Sequence, residues 1–365
     1  MKNKMKTLII ASAVLAANCQ LLLPTVSLAG NEDRSGQAGA TQLLINPWAR
    51  TSGWAGANVA GVRGLEGQFL NVAGTAFTKR TELIFSHTNY LKGSDIDVNT
   101  FGFSQHVGES GVLAVGIMSM NFGDIDVTTA NMPEGGLGKY KIGFMNIGAS
   151  YAKGFTDHIF GGMTARIVQE QIPDLKAGGF ALDAGIQYVA GKYNNEKFGI
   201  SLKNVGPKMQ YKGDGLSFRV VDLNNGSSYT VNERSESFEM PSQVNIGGSY
   251  DYYIGGDTAN KTHRITGAAA FVANSFTKDE FRLGVEYGFK SFLMVRAGYG
   301  FEKGIGNDDD SKEQYRTSAQ KGLSAGFTIE LPLNKEKGST FGLDYSYRST
   351  NPFDGTHSIG VRMNL

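Results

Sequence analysis

The chain has 365 residues, with 35 lysines and arginines against 34 aspartates and glutamates for a net charge of +1, and one cysteine. This near-neutral balance, with no basic stripe, argues against a nucleic-acid partner, and a lone cysteine excludes an internal disulfide or a thiolate metal site. The 49 glycines, only eight prolines and 11% aromatic residues fit a barrel of long strands better than an enzyme of mixed class.

Residues 1–29 read as a secretory signal: a basic Met1-Lys-Asn-Lys-Met-Lys, an apolar run from Thr7 to Ala17, and small residues at Ser27 and Ala29 before the expected cleavage site. A lipoprotein signal with Cys19 lipidated is the rival, but Asn18 stands where such a motif carries a small residue. No later stretch holds the roughly twenty apolar residues that a spanning helix needs.

Residues 30–80 are rich in glycine and alanine, have no sustained period, and are too apolar for a disordered tail. They predict a compact segment folded inside something larger. From Thr81 onward, strands alternate with turns. The terminal pair shows the pattern best. Phe341, Leu343, Tyr345 and Tyr347 alternate with Gly342, Asp344, Ser346 and Arg348, and Ile359, Val361, Met363 and Leu365 alternate with Ser358, Gly360, Arg362 and Asn364. One apolar and one polar face with a period of two, repeated over roughly fourteen segments, predicts a transmembrane antiparallel β-barrel spanning residues 81–365. Its closing strand is expected to end at Leu365. A recurring apolar-x-apolar-Gly-x-x-Tyr unit, as in Phe281-Arg-Leu-Gly-Val-Glu-Tyr, puts glycine on the inner face, for curvature and close backbone approach. The long polar inserts 123–141, 211–241, 255–261, 304–321 and 349–356 are expected outside the cell, and the short turns near 288–291 and 334–338 in the periplasm.

The order of an Ala49-Arg50 element, a Gly-Ala-rich turn from Gly53, and Asn71-Val72-Ala73-Gly74 before the first strand resembles the amino-terminal hatch of FadL-type barrels, and most of all the PorV/PorQ branch of Bacteroidetes-type envelopes. Those proteins carry Asn-Pro-Ala-Gly where this chain has Val72 in the proline's place. Asp124-Ile-Asp-Val-Thr-Thr with Pro133-Glu-Gly resembles the same group. The resemblance implies a FadL-like fold with the hatch inside the lumen. It also implies a non-enzymatic role as a partner-binding subunit of an envelope machine, in type IX secretion or β-barrel assembly, contacting outer-membrane lipids and other outer-membrane or surface proteins. The apolar loop residues Met132, Pro133 and Leu137 suit such docking. The alternative is a FadL-like channel for hydrophobic small molecules, with Trp48, Trp54, Phe69, Leu70 and Asn71 as ligand or plug contacts.

The inward phase of the strands carries Asp183, Lys203, Arg282, Glu286, Arg296, Glu330, Asp344 and Arg362, either an ion path or, as the preferred reading, a satisfied network filling the lumen. The five histidines lack the spacing of a metal site. Asn307-Asp-Asp-Asp lacks the glycine and distal glutamate of a calcium loop. With no nucleophile elbow or Ser/His/Asp set in view, neither enzyme chemistry nor a cofactor is expected.

Overall fold

The computed structural model describes residues 34–222, 224, 226–256, 262–302, 318–334, 336, 338–351 and 353–365. The signal segment, Cys19 and the acidic run 307–310 lie outside them. Among the described residues seventeen strands follow one another: β1 Thr81–Tyr90, β2 Ile96–Val107, β3 Gly111–Asp126, β4 Lys139–Gly154, β5 Ile159–Ile172, β6 Leu175–Ala190, β7 Glu196–Val205, β8 Tyr211–Lys212, β9 Ser217–Val221, β10 Ser228–Asn232, β11 Gln243–Tyr253, β12 His263–Asn274, β13 Glu280–Phe289, β14 Leu293–Glu302, β15 Gln320–Asn334, β16 Ser339–Thr350 and β17 Thr356–Asn364. Fourteen of them, β1–β7 and β11–β17, form one antiparallel wall, and β1 pairs with β17 to close it. Closure runs through Glu82 opposite Asn364 to Asn89 opposite His357, and the Leu365 amide donates to the Thr81 carbonyl at 2.9 Å. The expected fourteen-stranded barrel is the fold observed. β9 and β10 form a separate hairpin in the long β7–β11 connection.

The register fixes the shape of the wall. Starting at Phe85, each step to the next strand, followed by a shift of one residue toward the end that holds Leu365, passes Val115, Met163, Ile200, Ala269, Ala297 and Tyr345 and returns to Phe85 after fourteen strands. With a rise of about 3.3 Å per residue and about 4.8 Å between strands, one residue of stagger per strand tilts the strands by about 35°. The residues on this path share one height, and heights elsewhere follow by counting along each strand.

The faces sort as the period of two requires. Leu283, Val285, Ile200, Ile186, Met163 and Phe301 lie on the outside and are exposed, while Ser201, Thr164, Asp183, Thr328 and Asp344 lie inside and are buried. No helix among the described residues is long and apolar enough to cross a membrane. The chain crosses with strands, and a closed barrel with an apolar exterior belongs in the outer membrane.

Strand parity divides the connections between two ends. The long β3–β4, β7–β11 and β14–β15 connections share one end with 351–355. The short turns 155–158, 191–195, 290–292 and 335–338 lie at the other, with Leu365. This corrects one expectation. The insert 255–261 joins β11 to β12 and so belongs to the short-turn end. Its polar composition resembles an outer loop, but an even number of crossings separates it from Leu365. The expected loop 123–141 is also shorter than its sequence implied. β3 continues to Asp126 and β4 starts at Lys139, with Lys141 and Asp124 paired at 3.3 Å across the extension.

Candidate functional site: a plugged lumen with two chambers

The segment before β1 has little regular structure because it is built from small residues and turns. Thr41–Leu44 and Val72–Phe77 are 3-10 turns, and Ala49–Ser52 and Gly67–Leu70 are single helical turns. Ala55 and Gly56, at φ 53° and 74°, reverse the chain between them in the left-handed region, where a glycine is at ease. The segment packs inside the wall. Ala49–Ser52 lies on β15, β16 and β17, and Val72–Phe77 on β3 to β6.

The seat of this segment explains the recurring glycine unit. Gly102, Gly116, Gly148, Gly185, Gly199, Gly247, Gly284, Gly298, Gly326 and Gly360 lie on ten different strands within about three residues of the Phe85 height, and all face inward. A Cβ on Gly298 would sit 2.4 Å from the Trp54 carbonyl carbon, on Gly199 2.9 Å from Ala60 Cα, on Gly284 2.6 Å from the Trp54 ring, and on Gly102 2.6 Å from Leu65. These ten glycines therefore form a ring against which the segment packs closely, backbone to backbone at Gly185, Gly199, Gly298 and Gly326 and through side chains at the others.

Polar side chains lock it in place. Gln68 Nε2 donates to the Gly148 carbonyl at 3.0 Å and to Ser150 Oγ at 2.7 Å. Asn71 Nδ2 donates to the Val59 and Ile186 carbonyls, and its Oδ1 accepts from the Ala73 amide. Gln187 Nε2 donates to the Val59 carbonyl at 3.1 Å, and Glu82 accepts from the Leu65 amide at 2.7 Å. Trp48 is fully buried, edge-on to Phe69 at 5.8 Å, in a cluster with Leu65, Ile84, Val98 and Met118.

The charges inside do not form one network. Arg264, Glu286 and Arg296 connect at 2.6 and 2.9 Å, and Arg296 donates at 2.7 Å to Thr328, which donates to Asp344. Glu330 holds Arg362 at 3.0 Å, and Arg362 lies 3.9 Å from Glu66 on the inserted segment, which pairs with Arg50 at 3.0 Å. Asp183 belongs to a separate pair with Arg166 at 2.8 Å, and Arg282 pairs with Glu280 at 3.0 Å. Burial works against the Arg50 charge, but the surrounding carboxylates of Glu66, Asp344, Glu82 and Glu330 prevail and raise its pKa. Arg63 has the opposite balance. Burial lowers it to about 10, against the pull of Asp251.

Two cavities flank the inserted segment. The outer chamber, at the long-loop end, has a volume of about 660 Å³. One wall is apolar, formed by Ile45, Phe69, Leu70, Tyr90, Ile96, Met120, Phe122, Phe144 and Ile172, and the other carries Lys203, Glu280, Arg282, Glu302 and Arg348. The inner chamber, about 470 Å³ at the short-turn end, is polar and lined by Arg63, Lys79, Lys197, Asp251, Arg264, Glu286 and Glu330, with Trp54 beneath them. Of the five segment residues singled out from the sequence, Phe69 and Leu70 face the outer chamber and Trp54 the inner one, while Trp48 and Asn71 line neither. Lys203 and Arg282 reach the outer chamber, and Glu286 and Glu330 the inner one. Arg50, Glu66, Gln68, Arg166 and the Lys197–Asp251 pair, 2.5 Å apart, escaped sequence reasoning. Arg166, Lys197 and Asp251 lie in the inward phase and were readable from it. Arg50, Glu66 and Gln68 lie where no period exists. Met132 and Leu137 of the β3–β4 loop are 45% and 49% exposed, so they do not pack onto the barrel mouth.

No protein-family model matches the chain, and no curated protein does. Among solved structures it is similar to the Pseudomonas putida toluene transporter TodX, with a TM-score of 0.54 at 11% identity, covering 87% of this chain and 97% of that one. A second crystal structure of that transporter gives a TM-score of 0.50 at 12% identity, with the same coverage. At such identity the likeness is one of fold, and the FadL-like barrel expected from the sequence is the fold shared.

Proposed function

We propose that the chain is an outer-membrane channel for hydrophobic or amphiphilic small molecules, in which the segment 34–80 acts as a plug. The outer chamber carries this reading. Its volume suits a small ligand, one wall offers apolar area, and Arg282, Arg348 and Lys203 opposite give an amphiphile's polar end a charged surface to meet. Toluene, which the structurally similar TodX transports, is of the same substrate class. The cluster of Arg264, Glu286, Arg296, Glu330, Asp344 and Arg362 has a structural role, because Glu286 and Glu330 are each held by an arginine and Asp344 by a hydroxyl. A subunit role in type IX secretion or barrel assembly, and the PorV/PorQ branch that implied it, draw no support from the geometry of the lumen.

The test is binding and uptake in parallel. Phe69→Ala and Leu70→Trp should change the affinity of the purified barrel for a fluorescent long-chain amphiphile by tenfold or more, one by removing wall area and the other by filling the chamber. Uptake of toluene or a fatty acid by cells expressing the variants should fall in step. Unchanged binding and uptake in folded variants would refute the channel reading.

A further inference from the structure

The outer surface of the barrel is not a uniform apolar belt. On β14 the outward row is Leu293, Val295, Ala297, Tyr299 and Phe301. At a tilt of about 35° and about 3.3 Å per residue, it spans about 21 Å of membrane normal, close to the ordinary belt of about 25 Å. On β1 the apolar row is only Leu83 and Phe85, and on β2 only Phe103 and Phe101. Toward the long-loop end the outward positions become His87 and Asn89 on β1, Asn99 and Asp97 on β2, and His357 on β17. Toward the other end, Thr81 bonds Gln105 at 2.6 Å. By register, His87 lies at the height of Leu202, Phe271 and Tyr299, and Asn89 at that of Ile167 and Phe301. His87 thus stands outward at a depth where most strands meet hydrocarbon, and Asn89 and Asp97 at the edge of that belt, with His87 and Asp97 side chains 47% and 44% exposed. The belt left on these two strands is about 5 Å between its Cα atoms, a deficit far larger than tilt or local thinning takes up.

Lipid chains cannot satisfy these groups, and they satisfy one another only in part. His87 Nδ1 bonds Asn99 Oδ1 at 2.9 Å, Asn89 Nδ2 donates to Asp97 Oδ1 at 3.4 Å, and His87 Nε2 stands 3.8 Å from that same Asp97 oxygen, too far for a hydrogen bond. We propose that the outward face of β1 and β2 is where a second copy of this chain packs, about a twofold axis along the membrane normal. Such an axis preserves height. His87 and Asn99 lie within one residue of each other in height, and so do Asn89 and Asp97. Each donor on β1 of one copy therefore meets an acceptor on β2 of the other. One imidazole, one carboxylate and two amides make the patch complementary to itself, which a strongly charged partner would not match.

The experiment uses the full chain with Cys19→Ser and a single new cysteine, folded into phosphatidylcholine vesicles at low protein density. Asn99→Cys should give a covalent dimer with a short bis-maleimide at least tenfold more efficiently than Ala297→Cys on β14. Adding His87→Leu and Asp97→Leu should reduce that yield tenfold, with the heat-modifiable band showing that the barrel is still folded. The proposal is overturned if the two cysteines cross-link equally, if a nitroxide at residue 99 is relaxed by a lipid-soluble reagent as strongly as one at 297, or if outer membranes yield an adduct at 99 with a different protein and none with itself.

Discussion

Gly298→Ala tests whether the inserted segment is seated against the wall. The added methyl would lie 2.4 Å from the Trp54 carbonyl carbon, 2.5 Å from its oxygen and 2.8 Å from the Ala55 nitrogen, all backbone atoms. No side chain can rotate away, so the plug must move by about 1 Å, and overpacking of this kind costs about 1–3 kcal/mol. We expect the upper end, because Trp54 is also pressed on Gly284 from the next strand and cannot retreat along it. The control is Gly267→Ala, where nothing lies within 4 Å of the new atom and replacing a strand glycine gains up to about 1 kcal/mol. Tryptophan fluorescence reads the outcome selectively, because the two tryptophans of the chain, Trp48 and Trp54, are both buried in the plug. Gly298→Ala should lower the denaturant midpoint and shift emission to the red, while Gly267→Ala does neither. Equal midpoints and unchanged emission in both would refute the seating.

Two further changes probe the interior charges and the lipid face. Glu286→Gln removes the carboxylate shared by Arg264 and the fully buried Arg296, and should cost about 3–5 kcal/mol in equilibrium unfolding. The double variant with Arg296→Met should recover much of this, and a double variant no more stable than the single one would show that the pair is not coupled. Leu283→Arg, at a residue 61% exposed near mid-belt, should cost about 2–4 kcal/mol in a bilayer and far less in detergent micelles. Equal losses in both would mean that this face does not meet hydrocarbon.

The strands were legible because the membrane imposes a period of two, and in Leu343-Asp344-Tyr345-Ser346 each residue declares its side. The glycine unit was visible as repetition, but its purpose needed the register. Gly185, Gly247, Gly284 and Gly326 are far apart in sequence and level only in the closed wall. Arg50, Glu66 and Gln68 gave no signal, because a segment packed on all sides has no polar face to set against an apolar one. The extension of β3 and β4 beyond the bilayer was missed because Asp124 and Lys141 are both exposed outside the belt, where alternation has no cause. The site of 255–261 was within reach, since counting strands from Leu365 assigns it.

The glycine ring also constrains how the chain can fold. A plug that touches ten strands, with Trp54 wedged between Gly284 and Gly298 and Leu65 against Gly102, has no clear way in along the axis once β1 has met β17. The wall must therefore close around a segment already collapsed in its interior. The same residues supplied as a separate peptide would then meet a finished barrel too late to enter it.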